Sequence, residues 1–189
     1  MKRIIKAVPF TIPFAKKGNY YRAGNSAWTS TNHPPTINRM YTQAMCFGED
    51  ITIDQLAIYI SEAAAAGGVA RMGLYADDGT LHPGQLIYDS GEIDTTTTGL
   101  KTAAPPSPIV TVIAKGTPFW TCLLCGAAVP KLKSSGANCL PVLGSGNTVG
   151  GWSFNGFYAD QAYGALPATH PAAGTFLRGM YDYVHIRLA

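Results

Sequence analysis

The sequence predicts an all-β fold: an antiparallel β-sandwich, jelly-roll-like, preceded by an extended N-terminal arm. Three observations lead there. Short apolar runs are separated by clusters of turn-forming residues, the pattern of many short strands. Glycine (21) and proline (13) are abundant but spread along the chain, which fits tight turns better than disorder or helical bundles. Charged residues make up only 13% of the 189 positions, about half the usual share, while 47% are hydrophobic, so a real core is available and much of the surface is suited to facing other protein.

Each element follows from local chemistry. Residues 1–39 are expected to form the arm and residues 40–189 the sandwich. "IIKAVPFTIPF" is apolar but interrupted by Pro9 and Pro13, so it suits an extended edge segment. Lys6 and the same prolines break its likeness to a secretion signal, and no small-residue cleavage site follows; export is not expected, and the cysteines are expected to be reduced. "GNYYRAGNSAWTSTNHPPT" reads as a turn-rich linker whose aromatics need a covering partner. In "RMYTQAMCFGEDITIDQLAIYI" two strand-like runs flank the turn "GED". Ile51 and Ile53 share one face and Leu56, Ile58 and Ile60 the other, so a β-bulge or a crossing between sheets is expected near Asp54 and Gln55. "SEAAAAGG" is too short for a stable helix and reads as a small-residue loop. "VARMGLYA" alternates, with Ala70, Met72 and Leu74 opposite Arg71, Gly73 and Tyr75. Further strands are expected in "QLIYDSGEI", "PIVTVIA", "FWTCLLCGAAV", "NCLPVL" and "YDYVHIRLA". The last places Val184, Ile186 and Leu188 inward and Tyr183, His185 and Arg187 outward.

Charge is uneven. Positions 1–48 hold seven basic residues and no acid, against a net charge of +3 for the whole chain. That asymmetry suggests an arm that docks on an acidic surface, with Lys2, Arg3, Lys6, Lys16, Lys17, Tyr20, Tyr21, Arg22 and Trp28 as the anchoring, partner-binding residues. Nucleic acid is the competing partner. It is not expected, because the bases form no dense run and no nucleic-acid-binding motif accompanies them. No apolar run approaches membrane-spanning length.

Catalytic and metal chemistry find little footing. His33, His82 and His170 each precede proline, which pushes them into extended loop conformations, and His185 lies on the last strand. "GWSFNG" approaches a nucleophile elbow, but Asn155 stands where the second glycine belongs. Asp77, Asp78, Asp89 and Glu92 could gather around a cation. Each also has a turn role: Asp78-Gly79 is a strong turn dipeptide, and "HPGQ" and "DSGE" are further turn signals. A glycosidase pair is not nominated by any two acids in particular. Cys122 and Cys125 have the spacing of a redox or zinc half-site, but on a strand residues three apart point to opposite faces. Trp152, Phe154, Phe157, Tyr158 and Tyr163 lie in a Gly-rich excursion. They could stack on a glycan, meet another subunit, or plug one end of the sandwich. No enzyme activity and no cofactor are expected.

The succession "ITIDQLAIYI", a small-residue loop, "ARMGLYADDG", "HPGQLIYDSGEID", "TTTTGLKT" and "PFWTCLLCG", with "YGALPATHPAAGT" before the final strand, resembles a β-sandwich module of tailed-bacteriophage and phage-like structural proteins, among them tail-fibre, head-fibre and capsid decoration components. The resemblance covers about residues 40–189. Cys122 and Cys125 depart from it where plain aliphatics are expected, and the basic arm lies outside it. It implies a non-enzymatic component of a virion assembled in the host cytoplasm, with other capsid or tail proteins as partners and a homo-oligomer, a trimer by analogy. The competing expectation is a carbohydrate-binding adhesion module that recognises a host-surface glycan.

Overall fold

The computed structural model describes residues 12, 15–23, 31–105, 111–134, 154–171, 175–178 and 183–189. No helix occurs among them. The strands are β1 Tyr20–Tyr21, β2 Thr31–His33, β3 Arg39–Met45, β4 Ile51–Glu62, β5 Val69–Asp77, β6 Pro83–Asp89, β7 Ile93–Asp94, β8 Gly99–Ala103, β9 Thr111–Ile113, β10 Phe119–Gly126, β11 Lys131–Ser134, β12 Phe154–Asp160, β13 Thr175–Arg178 and β14 His185–Leu188. They form two sheets whose ladders are antiparallel. The first is built on β4, with β14 and β11 in tandem along one edge and β9 and β8 along the other; β1 extends β14 and β2 extends β11. The second runs β13-β12-β3-β10-β5-β6, with β7 sharing the outer edge of β5. The chain passes repeatedly from one sheet to the other, and a continuous apolar cluster from both fills the space between them. The expected all-β sandwich is therefore what forms.

The phase change in β4 is a bulge. Arg187 pairs with Gln55 but Leu188 with Ile53, leaving Asp54 as the extra residue. Asp54 and Gln55 are both only partly covered. On either side of them Ile51, Ile53, Leu56, Ile58 and Ile60 all enter the same core. Arg187 clamps the bulged residue with two parallel bonds, Nε to Asp54 Oδ1 and a terminal nitrogen to Oδ2, each 2.9 Å.

β10 is buried on both faces, which is why "FWTCLLCG" is an unbroken apolar run. Phe119, Leu123 and Cys125 face the space between the sheets. Trp120, Cys122 and Leu124 enter a second cluster on the far side, with Met40, Ala44, Tyr75, Phe157 and Leu166. Residues 161–171 lie over that second cluster as a strap. Asn38, in a left-handed conformation (φ 56°), holds its start: its carbonyl accepts from Gln161 N–H and its side-chain oxygen from Tyr163 N–H. Asp89 accepts from Leu166 N–H (2.9 Å), and Tyr75 donates its hydroxyl to the Pro167 carbonyl (2.9 Å). The strap needs glycine beneath it: a Cβ at Gly126 would sit 2.3 Å from the Tyr163 ring, and one at Gly73 2.3 Å from Leu166.

Several sequence expectations change. The stretch read as a turn-rich linker contributes β1 and β2 to the first sheet, so His33, expected in a loop, ends a strand opposite Leu132. "HPGQ" is not a turn centred on Pro83-Gly84. The reversal occurs at 78–82, closed by Asp78 N–H to the His82 carbonyl, with Gly79 (φ 93°) and Leu81 (φ 63°) left-handed, and Pro83 already opens β6. Pro83 can open it because a first strand position does not require its missing N–H. Tyr183 is buried, not outward. It precedes β14 and packs edge-on against Tyr41 with centroids 5.6 Å apart, so the strand alternation does not reach it.

The described part of the 1–39 segment runs along the body. Ile12 pairs with Phe47 in parallel, its N–H bonding the Cys46 carbonyl. Gly18 N–H reaches the Leu188 carbonyl, and Tyr20 and Tyr21 pair with Arg187 and Ile186.

Candidate functional site

Where the 78–82 turn meets the end of the strap, a cavity of about 430 Å³ opens between Asp77, Asp78, His82, Pro83 and Gln85 on one side and Thr169, His170 and Pro171 on the other, with Phe157 beneath. The backbone fixes both walls. Gly84 accepts from His170 N–H, and Ala168 accepts from Leu86 N–H, both at 2.9 Å, so the strap end is tied to β6 like a short extra strand. Gln85 Nε2 donates to the Thr169 hydroxyl at 3.0 Å.

The acids around the turn are held by local donors. Asp77 Oδ1 accepts from Gly79 N–H (2.8 Å), while its Oδ2 takes the indole N–H of Trp120 (3.0 Å). Asp78 Oδ1 takes the N–H and the hydroxyl of Thr80, both 2.7 Å, and these bonds hold its carboxyl below the usual range. Asp89 joins Arg71 (2.9 Å) and Gly91 N–H (2.9 Å). Glu92 accepts from the Tyr163 hydroxyl at 3.3 Å. The four acids raised together by the sequence are thus spread among turn closure, an indole cap, a partly buried ion pair and the strap. Among the described residues no three His, Cys, Asp or Glu side chains gather as they would around a metal ion.

The two histidines differ. His82 is exposed, its ring stacked on Phe157 with centroids 4.5 Å apart and an interplanar angle of 27°. His170 is buried beside Tyr75 and Thr42. Its Nδ1–H donates to the Pro171 carbonyl at 2.9 Å, a tautomer assigned from that acceptor. Burial pushes its pKa down to about 4; the Pro171 carbonyl opposes that shift and nearby His82 adds to it. The pocket therefore presents a neutral imidazole, an exposed imidazole, two carboxylates, an amide and a hydroxyl over an aromatic floor. Among the described residues no Lys or Arg lines it. Sequence reasoning placed His82 and His170 in loops but did not bring them together, because their meeting depends on the strap folding back over β6.

The aromatic excursion divides. Phe157 is buried in the second cluster, beneath the strap on the far face of the second sheet. Tyr158 lies under the Arg39 guanidinium, 4.4 Å from ring centroid, and Tyr163 anchors the strap. Phe154 begins β12, and Trp152 lies outside the described residues. Of the anchor set, Lys2, Arg3, Lys6 and Trp28 also lie outside them. Lys16 and Lys17 are exposed at a turn. Tyr20 is exposed with its hydroxyl on Gln55, and Arg22 is partly covered. Tyr21 turns toward the core, edge-on to Phe47 at 5.5 Å, and its hydroxyl accepts from Lys16 N–H. Cys122 and Cys125 sit on opposite faces of β10, one in each cluster, as strand spacing requires. Burial raises both thiols, Cys125 to about 12.

No family model, no curated protein and no solved structure matches the chain.

Proposed function

We propose that this chain is a non-enzymatic structural protein of a tailed-phage or phage-like particle, anchored through its basic N-terminal segment and displaying or packing a sandwich of jelly-roll-like connectivity as a capsid decoration, head-fibre or tail component. One observation carries the reading. The segments that resemble the phage module each fall on a strand or connection of the sandwich: β4, the 63–68 loop, β5, β6 with β7, the 95–98 turn with β8, and β10, with β9 between the last two. The outward face of the β4 sheet adds support. Leu100 and Val112 lie on it, 55% and 68% exposed, cross-strand from Tyr59 and Thr52, and apolar side chains so placed suit contact with a neighbouring protein.

A truncation that removes part of the proposed anchor tests it. Ile12 is held by Cys46 and by Gly48, whose N–H bonds the Ile12 carbonyl, so a truncation should stop at residue 11. Removing residues 1–11 takes away Lys2, Arg3 and Lys6 and is expected to abolish incorporation into particles while the thermal midpoint of the purified protein changes little. Undiminished incorporation of the truncated chain would reject Lys2, Arg3 and Lys6 as anchoring residues. Absence of the full-length chain from purified particles, checked by labelled antibody, would reject the particle reading itself.

A further inference from the structure

We infer that the pocket between the 78–82 turn and residues 169–171 binds a neutral saccharide unit. Its size comes first: about 430 Å³ lies within the range of roughly 300–1,000 Å³ that small-molecule sites occupy, and it is wide for a lone ammonium group. Its chemistry then narrows the class. An anion is disfavoured, because Asp77 and Asp78 line the pocket and, among the described residues, no Lys or Arg does. A hard cation lacks a ligand set among the described residues. A wholly apolar ligand would strip water from Asp78, Gln85 and Thr169 without giving hydrogen bonds back.

A sugar ring answers both halves of the lining. Its C–H face can lie on the His82 imidazole, which Phe157 backs from behind at 4.5 Å. Its hydroxyls can donate to the Asp78 carboxylate, whose bonds to Thr80 use Oδ1 alone, and exchange bonds with Gln85 and Thr169. The site is also pre-formed: the Asp78–His82 and Gly84–His170 backbone bonds fix its two walls, so little ordering opposes binding. It shares Phe157 with the aromatic excursion but is argued from His82, Asp78, Gln85 and Thr169, and it does not depend on the particle reading, since binding is measured on purified protein and incorporation on particles.

The test is a glycan array on the full chain, followed by titration of the responding saccharide into wild type, Asp78→Asn, Gln85→Ala and Trp152→Ala. Asp78→Asn keeps an oxygen for Thr80, and circular dichroism with a thermal midpoint reports folding of each variant. The expected result is a neutral glycan that binds wild type and Trp152→Ala alike and binds the two pocket variants roughly tenfold more weakly. Three results would overturn the site: no glycan bound, binding unchanged in both folded pocket variants, or free arginine or lysine binding at the pocket while saccharides do not.

Discussion

His170 is buried and uncharged, and that gives the molecule a pH response. Its folded pKa of about 4 lies below the ordinary value of 6.5, so the unfolded chain takes up a proton first as pH falls. Stability is therefore lost as pH drops below about 6.5 and continues to fall until the folded group titrates near 4. Between pH 7 and 4.5 the loss should be roughly 2 kcal/mol. Asp78 and Asp94, both lowered by bonds from Thr80 and Thr96, act in the same direction but only below about pH 4. Urea denaturation across this range should show the slope in wild type and a much flatter one in His170→Gln. The thiols make a second prediction at this scale: Cys122 and Cys125 should not react with a thiol reagent at pH 8 until the protein is unfolded, because burial keeps both protonated. His170 also marks the limit of the sequence. Proline at 171 placed it in an extended loop, correctly, but its burial comes from strap residues meeting Thr42 and Tyr75, and no local pattern encodes that meeting.

Among the elements, β4 was the most legible and the strap the least. Two apolar runs out of phase by one residue can share a core only if one residue is set aside, so the bulge at Asp54 was written in the spacing itself. Deleting Asp54 should turn Ile51 and Ile53 outward. At about 1.5–3 kcal/mol for each buried isoleucine, the deletion is expected to cost about 3–6 kcal/mol, enough to prevent folding, read from the far-ultraviolet dichroism of the purified protein. Asp54→Ala keeps the residue count and loses only the half-exposed clamp to Arg187, so it should cost no more than about 1 kcal/mol. The strap "YGALPATHP" has neither strand alternation nor helical spacing. What fixes it is complementarity: a glycine at 126 beneath Tyr163, another at 73 beneath Leu166. Gly126→Ala should destabilise by about 1–3 kcal/mol and open the 161–171 segment to limited proteolysis while the sheets persist. The "HPGQ" misreading has a related cause, since proline and glycine together signal a turn only where the chain has not already reversed, and Asp78-Gly79 reverses it first.

For the molecule as a whole, composition was enough for the class, since scarce charge, dispersed glycine and short apolar runs leave few alternatives to packed sheets. It was not enough for the division of labour between the sheets. One face of the second sheet is buried under the strap, so β10 carries two clusters at once, whereas the outer face of the first sheet keeps Leu100 and Val112 in water. The place of β4 has a consequence for how the protein is made. It pairs along both edges, with β8, β9, β11 and β14, every one of them later in the chain. On the ribosome its isoleucines must wait while the remaining strands emerge, and the first sheet cannot close until His185–Leu188 is available. Such delayed, long-range closure predicts slow refolding and a nascent chain that depends on chaperones, so yield should rise when synthesis is slowed by cooling.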